Sequence, residues 1–134
     1  MKNLSVFLFV FSIYILGHVS GTGITITNEL QFKKLLWMRC YSKDDVIGPK
    51  VLSIGQQYEN SFRANIWGTT RFMCTLKQGP NYKHYQNFTA FKQYTGYDNG
   101  ADWDWRVRED GIYLKKEGGI RKSVDMHKVY DWIN

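Results

Sequence analysis

The sequence predicts an all-β protein, a small antiparallel β-sandwich of about seven or eight short strands with one disulfide. Three observations carry this prediction. Short segments alternate apolar with polar residues, turn residues separate these segments at fairly regular spacing, and no long stretch has the period of a helix. Many short strands at regular spacing are typical of a sandwich. The chain shows no internal repeat or linker, which favours one domain.

The first 21 residues have the composition of a secretory signal peptide. Lys2 precedes an apolar stretch from Leu4 to Leu16, and small residues end the segment at Gly21. The apolar stretch is shorter than the roughly 20 residues that span a bilayer. We therefore expect a secreted protein without stable membrane insertion, whose single domain comprises residues 22–134.

The predicted strands follow from period-2 alternation, which places one face of each strand toward a core. Gly68 and Thr69 separate two of them, so a hairpin is expected there. The segment from Ser123 to Ile133 is compatible with either a short helix or a last strand. The predicted strands are Ile24–Thr27, a strand with Leu36, Met38 and Cys40 on one face, Tyr58–Trp67, Thr70–Leu76, Lys83–Lys92, Trp103–Arg108 and Ile112–Leu114.

Two cysteines remain after the signal peptide, Cys40 and Cys74. Outside the cell two such residues are expected to pair, and a loop of this length stabilises the fold by roughly 3 to 4 kcal/mol in the chain-entropy model. Their spacing matches no zinc pattern. A structural disulfide between Cys40 and Cys74 is therefore predicted.

The segment from Asp102 to Leu114 contains two tryptophans, four acids and two arginines. A glycosidase would need two carboxyl groups across a cleft, one of them desolvated. In a strand, however, Trp103 and Trp105 share the core face. Asp102 and Asp104 share a solvated face with arginines, which would keep both aspartates ionised. Asp110 and Gly111 predict a type I′ hairpin with Val107 opposite Leu114. The hairpin interpretation is favoured over the catalytic one.

Other residue patterns were weighed as catalytic or metal sites. His84 and His127 could serve as the acid and base of a small ribonuclease. They lie in unrelated segments, so no catalytic residue is predicted. Asp44 and Asp45 lack the spacing of a calcium loop. We expect neither a metal nor another cofactor.

The net charge of +6 falls to +5 when Lys2 leaves with the signal peptide. Basic residues cluster only as pairs, so the stripe of a nucleic-acid-binding protein is missing and no nucleic-acid partner is expected. A modest positive charge suits acidic wall polymers or acidic receptor loops. Asn87-Phe88-Thr89 is a glycosylation sequon, and Asn87 is expected to face solvent if Phe88 faces the core.

Several segments resemble the plant self-incompatibility S-protein family, whose members are also called S-protein homologues. Together they cover nearly the whole chain after the signal peptide, in the family's order. They are Ile26-Thr27-Asn28-Glu29-Leu30, Arg39-Cys40-Tyr41-Ser42-Lys43-Asp44-Asp45 with Gly48, Phe62-Arg63, Thr70-Arg71-Phe72-Met73-Cys74 and Trp105-Arg106-Val107-Arg108-Glu109-Asp110-Gly111-Ile112-Tyr113-Leu114.

The resemblance implies a secreted β-sandwich in which Cys40 and Cys74 match the family's first cysteine pair. Members commonly carry a second pair just before the position of Trp105, where this chain has Asp102, Trp103 and Asp104. The best-understood members are stigma-secreted ligands of a pollen surface receptor. The expected function is thus a non-enzymatic signalling ligand, a monomer that binds a cell-surface receptor protein. An extracellular carbohydrate-binding module and a small nuclease remain as alternatives.

Recognition is expected in the connections between strands, since packing constrains the strands themselves. The two connections richest in tyrosine and adaptable polar residues are the candidates, a composition favoured in binding loops. The carbohydrate alternative would use exposed tyrosines such as Tyr82, Tyr85 and Tyr94. The predicted partner-binding residues are Asn81, Tyr82 and Lys83 in one loop and Tyr97, Asp98 and Asn99 in the other.

Overall fold

A computed structural model of the chain describes residues 22–62, 70–93, 101–118 and 125–134. The predicted signal peptide lies outside these ranges. Within them, no helix is long and apolar enough to cross a membrane. The described strands are β1 (Thr22–Glu29), β2 (Leu36–Tyr41), β3 (Val46–Leu52), β4 (Gln57–Phe62), β5 (Arg71–Gln78), β6 (Tyr85–Lys92), β7 (Asp102–Arg108), β8 (Gly111–Glu117) and β9 (His127–Tyr130).

The strands form two sheets, which confirms the predicted β-sandwich. The first sheet has the order β4-β1-β7-β8-β9, and the second has the order β3-β2-β5-β6. Neighbouring strands are antiparallel except β1 and β7, which are parallel. The parallel pair lies in the middle of the first sheet, where strands on both sides cover its edges.

The core lies between the sheets and is built from the inward positions of the alternating strands. Trp105 is almost fully buried, and its indole N–H donates to the carbonyl oxygen of Ala90 at 2.9 Å. Trp103 is also buried, so both tryptophans face inward as predicted. Satisfying the indole N–H allows this large ring to lie inside without an unpaired donor.

Cys40 and Cys74 form the disulfide between β2 and β5, where they are direct cross-strand partners. Both side chains lie at inward positions of the second sheet and are buried. The prediction of one disulfide is therefore confirmed.

The predicted hairpin around Gly68 and Thr69 is wrong. Gly68 and Thr69 themselves lie outside the described residues, but β4 belongs to the first sheet and β5 to the second, so the two strands do not pair with each other. The Phe62 ring, at the end of β4, contacts the ring of Phe72 across the core, with centroids 4.6 Å apart. Turn residues mark a change of direction, but the apolar faces of the two strands decide whether they pair or pack.

The hairpin between β7 and β8 exists, but its predicted register is wrong. Arg108 pairs with Gly111, so Glu109 and Asp110 form the turn, and Val107 lies opposite Ile112 and not Leu114. Gly111 instead packs closely against β9, because a Cβ at position 111 would lie 2.6 Å from the carbonyl oxygen of Tyr130. The inward face is unchanged, since the register moved by two residues.

The structure contains two strands that the sequence did not predict, β3 and β9. β3 contains Gly48 and Pro49, residues that argue against a central strand, and it is an edge strand where proline is tolerated. The undecided segment near the C-terminus contains β9, which adds a short strand to the edge of the first sheet. Ile133 then forms a bridge to Tyr85 of the second sheet. The tail thus links the two sheets.

Candidate functional site

Four connections lie at one end of the sandwich, and hydrogen bonds hold three of them to one another and the fourth to Asn28 of β1. They are residues 30–35 between β1 and β2, 53–56 between β3 and β4, 79–84 between β5 and β6, and 109–110 between β7 and β8. We call this surface the Phe32 end. It contains one of the two predicted binding loops.

Phe32 is the most exposed large apolar side chain described, with 83% of its surface accessible. Phe32 and the following Lys33 both have positive φ angles, 59° and 55°. Such a backbone is uncommon for residues other than glycine and costs on the order of 1 kcal/mol per residue. The loop therefore holds an aromatic ring in solvent at the expense of backbone strain.

Glu109, in the turn between β7 and β8, fixes this loop. One carboxylate oxygen accepts a hydrogen bond from the backbone N–H of Gln31 at 2.9 Å, and the other binds the ammonium of Lys34 at 2.8 Å. Partial burial by itself raises the pKa of Glu109, but the bonds from Lys34 and Gln31 outweigh it, and the pKa lies below its ordinary value. The same ammonium lies 3.3 Å from the side-chain oxygen of Gln78.

Asn28 anchors the loop from beneath. Its fully buried amide donates to the carbonyl oxygens of Lys34 at 3.0 Å and Leu52 at 2.9 Å, and its oxygen accepts from the N–H of Leu30 at 2.9 Å. The backbone of Asn28 also bonds with Gln56 and Gly55. Asn28 occupies an inward position of β1, and a polar residue on the apolar face was the signal that could have identified this role.

The predicted residues Asn81, Tyr82 and Lys83 all lie exposed at the Phe32 end. The Asn81 side chain accepts a hydrogen bond from the N–H of Lys83 at 3.1 Å, and Tyr82 has a positive φ of 59°. The loop joins the others because the N–H of Gly79 donates to the carbonyl of Leu35 at 2.7 Å. Leu35, Ile54 and Tyr82 add exposed apolar surface around Phe32.

The other predicted loop residues, Tyr97, Asp98 and Asn99, lie outside the described residues. The flanking residues Gln93 and Ala101 are described, and they lie at the end of the sandwich opposite Phe32. There Gln93 bonds with Thr70, and Ala101 accepts from the N–H of Gly23. The prediction for Tyr97, Asp98 and Asn99 is therefore not tested by the structure.

The sequence candidates for catalysis lie in separate surroundings. The ring of His84 bonds with the side chain of Asn134, whereas His127 bonds with the carbonyl oxygen of Asp125. Arg106 binds Asp104 through two parallel contacts of 3.1 Å. In the described part of the chain, no three His, Cys, Asp or Glu side chains converge as a metal site would require.

Asp102 differs from the expectation that arginines hold both aspartates ionised. Burial, with the nearby carboxylates of Asp104, Glu117 and Glu59, raises the pKa of Asp102 above its ordinary value. Arg106 binds Asp104 and not Asp102, so the arginine does not offset these effects. The ionised form of Asp102 is disfavoured in the folded protein for this reason.

The tyrosines of the carbohydrate alternative do not form one row. Tyr82 lies at the Phe32 end, Tyr85 lies on the outer face of the second sheet, and Tyr94 is outside the described residues. Trp37, Lys77 and Tyr85 are cross-strand neighbours on that outer face. The Lys77 ammonium covers the Trp37 ring at 4.7 Å from its centroid.

Asn87 is exposed on the outer face of β6, and Phe88 points into the core. The side chain of Asn87 accepts a hydrogen bond from the hydroxyl of Thr75 at 2.6 Å. This orientation leaves the predicted glycosylation site on the surface.

The family described as plant self-incompatibility protein S1 matches residues 23–132, almost all of the chain that follows the predicted signal peptide. The chain belongs to this family. It is 83% identical to S-protein homolog 31 of Arabidopsis thaliana over 134 residues, covering 100% of both chains. It is also 66% identical to S-protein homolog 17 of the same plant over 136 residues, again covering 100% of both chains.

The fold is similar to a solved structure of a self-incompatibility protein homologue, with a TM-score of 0.67 and 20% sequence identity. The match covers 87% of this chain and 97% of that one. That structure is described as representing a widespread family of small, highly stable, secreted proteins from plants. The resemblance inferred from the sequence segments is therefore confirmed.

Proposed function

We propose that this protein is a secreted, non-enzymatic signalling ligand that binds a cell-surface receptor protein through the Phe32 end. Membership of the S1 family supports the secreted ligand class. From the arrangement of the side chains we infer that the partner is a receptor protein, that the Phe32 end binds it, and that the protein is not an enzyme.

The observation that carries the proposal is Phe32, exposed over 83% of its surface on a braced loop. Binding energy at protein interfaces concentrates in a few anchors that enter desolvated pockets. A preorganised anchor also loses little conformational entropy on binding. The bonds of Gln31 and Lys34 to Glu109 supply that preorganisation here.

The charge around Phe32 indicates what the receptor surface offers. Lys33 and Lys83 are exposed beside the apolar side chains of this end. Opposite charges around an interface raise the association rate and fix its orientation. The complementary receptor site is an apolar pocket for an aromatic ring, with acidic side chains at its rim.

The surroundings of the histidines support a binding role over hydrolysis. A ribonuclease of the type considered needs two histidines directed at one phosphate. His84 bonds with the C-terminal residue Asn134, and His127 bonds with the backbone at Asp125. Purified protein is expected to leave RNA intact, and cleavage that His84→Ala or His127→Ala abolishes would contradict this.

The receptor proposal is tested with fluorescently labelled protein comprising residues 22–134 on plant protoplasts. Phe32→Ser is compared with Val46→Ser, a matched control that is 63% exposed and lies at the opposite end of the sandwich. We expect saturable binding that weakens about tenfold or more with Phe32→Ser and stays unchanged with Val46→Ser. Surface cross-linking of the unmodified protein then identifies the receptor.

Two results would overturn the proposal. Equal binding of both variants would exclude the Phe32 end, and a matched Gly/Ser replacement of residues 97–99 would then examine the other predicted loop. Binding that survives protease treatment of the cell surface, and that protein-free phosphatidylserine vesicles reproduce, would assign Phe32 and its lysines to a lipid surface.

A further inference from the structure

A groove of about 290 Å³ opens between the two sheets on the side where β6 and β9 are edge strands. β9 is short, and its paired residues reach only as far as Leu114 of β8. Lys116 lies two residues further along β8, at an inward-facing position opposite Trp103. Among the described residues, β9 therefore does not extend along β8 as far as Lys116.

Three positive side chains line the groove: Arg71, Lys92 and Lys116. None of the described residues that line it is acidic. Arg71 and Lys92 are direct cross-strand partners. An arginine and a lysine therefore lie side by side at this part of the groove.

The rest of the lining is mainly apolar and aromatic. Trp103, Tyr130 and the 40%-exposed Val129 contribute to it. The ammonium of Lys116 lies over the Trp103 ring at 4.0 Å from its centroid. This cation–π contact places a positive charge beside an aromatic ring of the groove. A ligand that matches both properties has an apolar or ring-shaped body and one negative group.

We propose that this groove, which we call the cationic groove, binds a carboxylate carried on a ring. Its volume is near the lower end of ligand pockets, about 300 Å³, and suits one or two rings. Such a carboxylate has two sources, a free aromatic acid or a uronic acid unit of a wall polysaccharide. The site is separate from the Phe32 end, because Arg71 and Lys92 lie at the opposite end of the second sheet.

Binding is measured by two-dimensional NMR on the protein comprising residues 22–134, by following the indole signal of Trp103 and the methyl signals of Val129. The probes are 1-naphthoate and a galacturonate trimer, each with a neutral partner, 1-naphthamide and the methyl-esterified trimer. We expect at least one carboxylate to shift these signals with saturation, and its neutral partner to bind about tenfold more weakly or not at all.

Arg71→Gln removes one charge of the groove, and Lys83→Gln removes one charge at the Phe32 end. We expect Arg71→Gln to weaken carboxylate binding about tenfold, whereas Lys83→Gln should leave it unchanged. Lys116→Gln provides a second groove variant. Unchanged thermal unfolding of each variant separates lost binding from lost folding.

The probes distinguish the two sources of the carboxylate. Naphthoate binding alone points to a free aromatic acid, and trimer binding alone points to a wall polysaccharide. No saturable shift with either acid at millimolar concentration, or equal binding of acids and neutral partners, would overturn the proposal. Receptor binding by Arg71→Gln is expected to remain normal. The proposal of carboxylate binding in the groove can therefore be refuted without refuting receptor binding at the Phe32 end, and receptor binding can be refuted without refuting carboxylate binding.

Discussion

Glu109 and Lys34 form an ion pair of 2.8 Å that joins the β7–β8 turn of the first sheet to the loop leading into the second. The same carboxylate accepts the backbone N–H of Gln31, next to Phe32. One side chain thus connects the β7–β8 turn to the 30–35 loop and fixes the backbone beside the most exposed aromatic residue described. The stability of the Phe32 end can therefore be altered without changing Phe32 itself.

Glu109→Gln is expected to loosen the Phe32 loop with a small global effect. The ion pair is partly exposed, so its loss should lower the free energy of unfolding by only about 0.5 to 1 kcal/mol. The amide of Gln31 should exchange its hydrogen markedly faster, because its acceptor is weakened. Hydrogen exchange followed by NMR measures this, and unchanged exchange at Gln31 would mean that Glu109 does not fix the loop.

The pH dependence of this contact follows from the lowered pKa of Glu109. A carboxyl group with a lower pKa in the folded protein stabilises the fold at high pH. That contribution is complete above the ordinary value of 4.5 and is lost as the pH falls from there through the folded-state pKa. Unfolding experiments below pH 4.5 should show a smaller acid-dependent loss in Glu109→Gln than in the unmodified protein.

Asp102 is expected to respond to pH in the opposite direction. Its raised pKa means that the ionised form is disfavoured in the folded protein. The protonated form contributes stability that is present below the ordinary value of 3.8 and lost as the pH rises through the folded-state pKa. Asp102→Asn should therefore raise the melting temperature at neutral pH, with a smaller gain at pH 3.

Asp104→Asn is the matched control for Asp102→Asn, since both aspartates lie on the same face of β7. Asp104 binds Arg106 through two contacts, so its replacement should lower the melting temperature at neutral pH. Thermal unfolding followed by circular dichroism measures both variants. Equal shifts of the same sign would contradict the different environments of the two carboxyl groups.

Removing a polar group at Thr27 and at the adjacent Asn28 of β1 should change the free energy of unfolding in opposite directions. Asn28 makes three buried side-chain hydrogen bonds, so Asn28→Ala should cost about 2 to 4 kcal/mol. Among the described residues, the hydroxyl of Thr27 is buried without a hydrogen-bond partner. Thr27→Val should therefore stabilise the fold by about 1 kcal/mol. Denaturant unfolding tests the pair, and a destabilised Thr27→Val would show that the hydroxyl is paired in solution.

Replacing Cys40 and Cys74 with serine should lower the free energy of unfolding by roughly 2 to 5 kcal/mol. The bond closes a loop with a sequence separation of 34, and both cysteines are buried between paired strands. Denaturant unfolding measures the loss, with chemically reduced native protein as the control. Two free thiols in the secreted protein, detected by mass spectrometry, would refute the pairing.

The sequence could predict the faces of the strands because alternation is a local property of an extended chain. Trp103 and Trp105 point inward whatever strands lie beside β7. It could not predict that β4 and β5 lie in different sheets, because the residues between them would suit either a hairpin or a crossing. For the same reason, the loop with Tyr82 could not be assigned from the sequence to the end of the sandwich that carries Phe32.

The sequence by itself determined the β-sandwich, the buried faces, the disulfide and the family, since each depends on residue types and their spacing along the chain. Only the tertiary structure decided which loops meet at the Phe32 end and which charges line the cationic groove. Glu109 reaches Gln31 and Lys34 across some 75 residues of chain, and Lys116 of the first sheet lines the same groove as Arg71 of the second. Such contacts depend on the order of strands in the sheets, which is set by packing over the whole core and not by any local pattern.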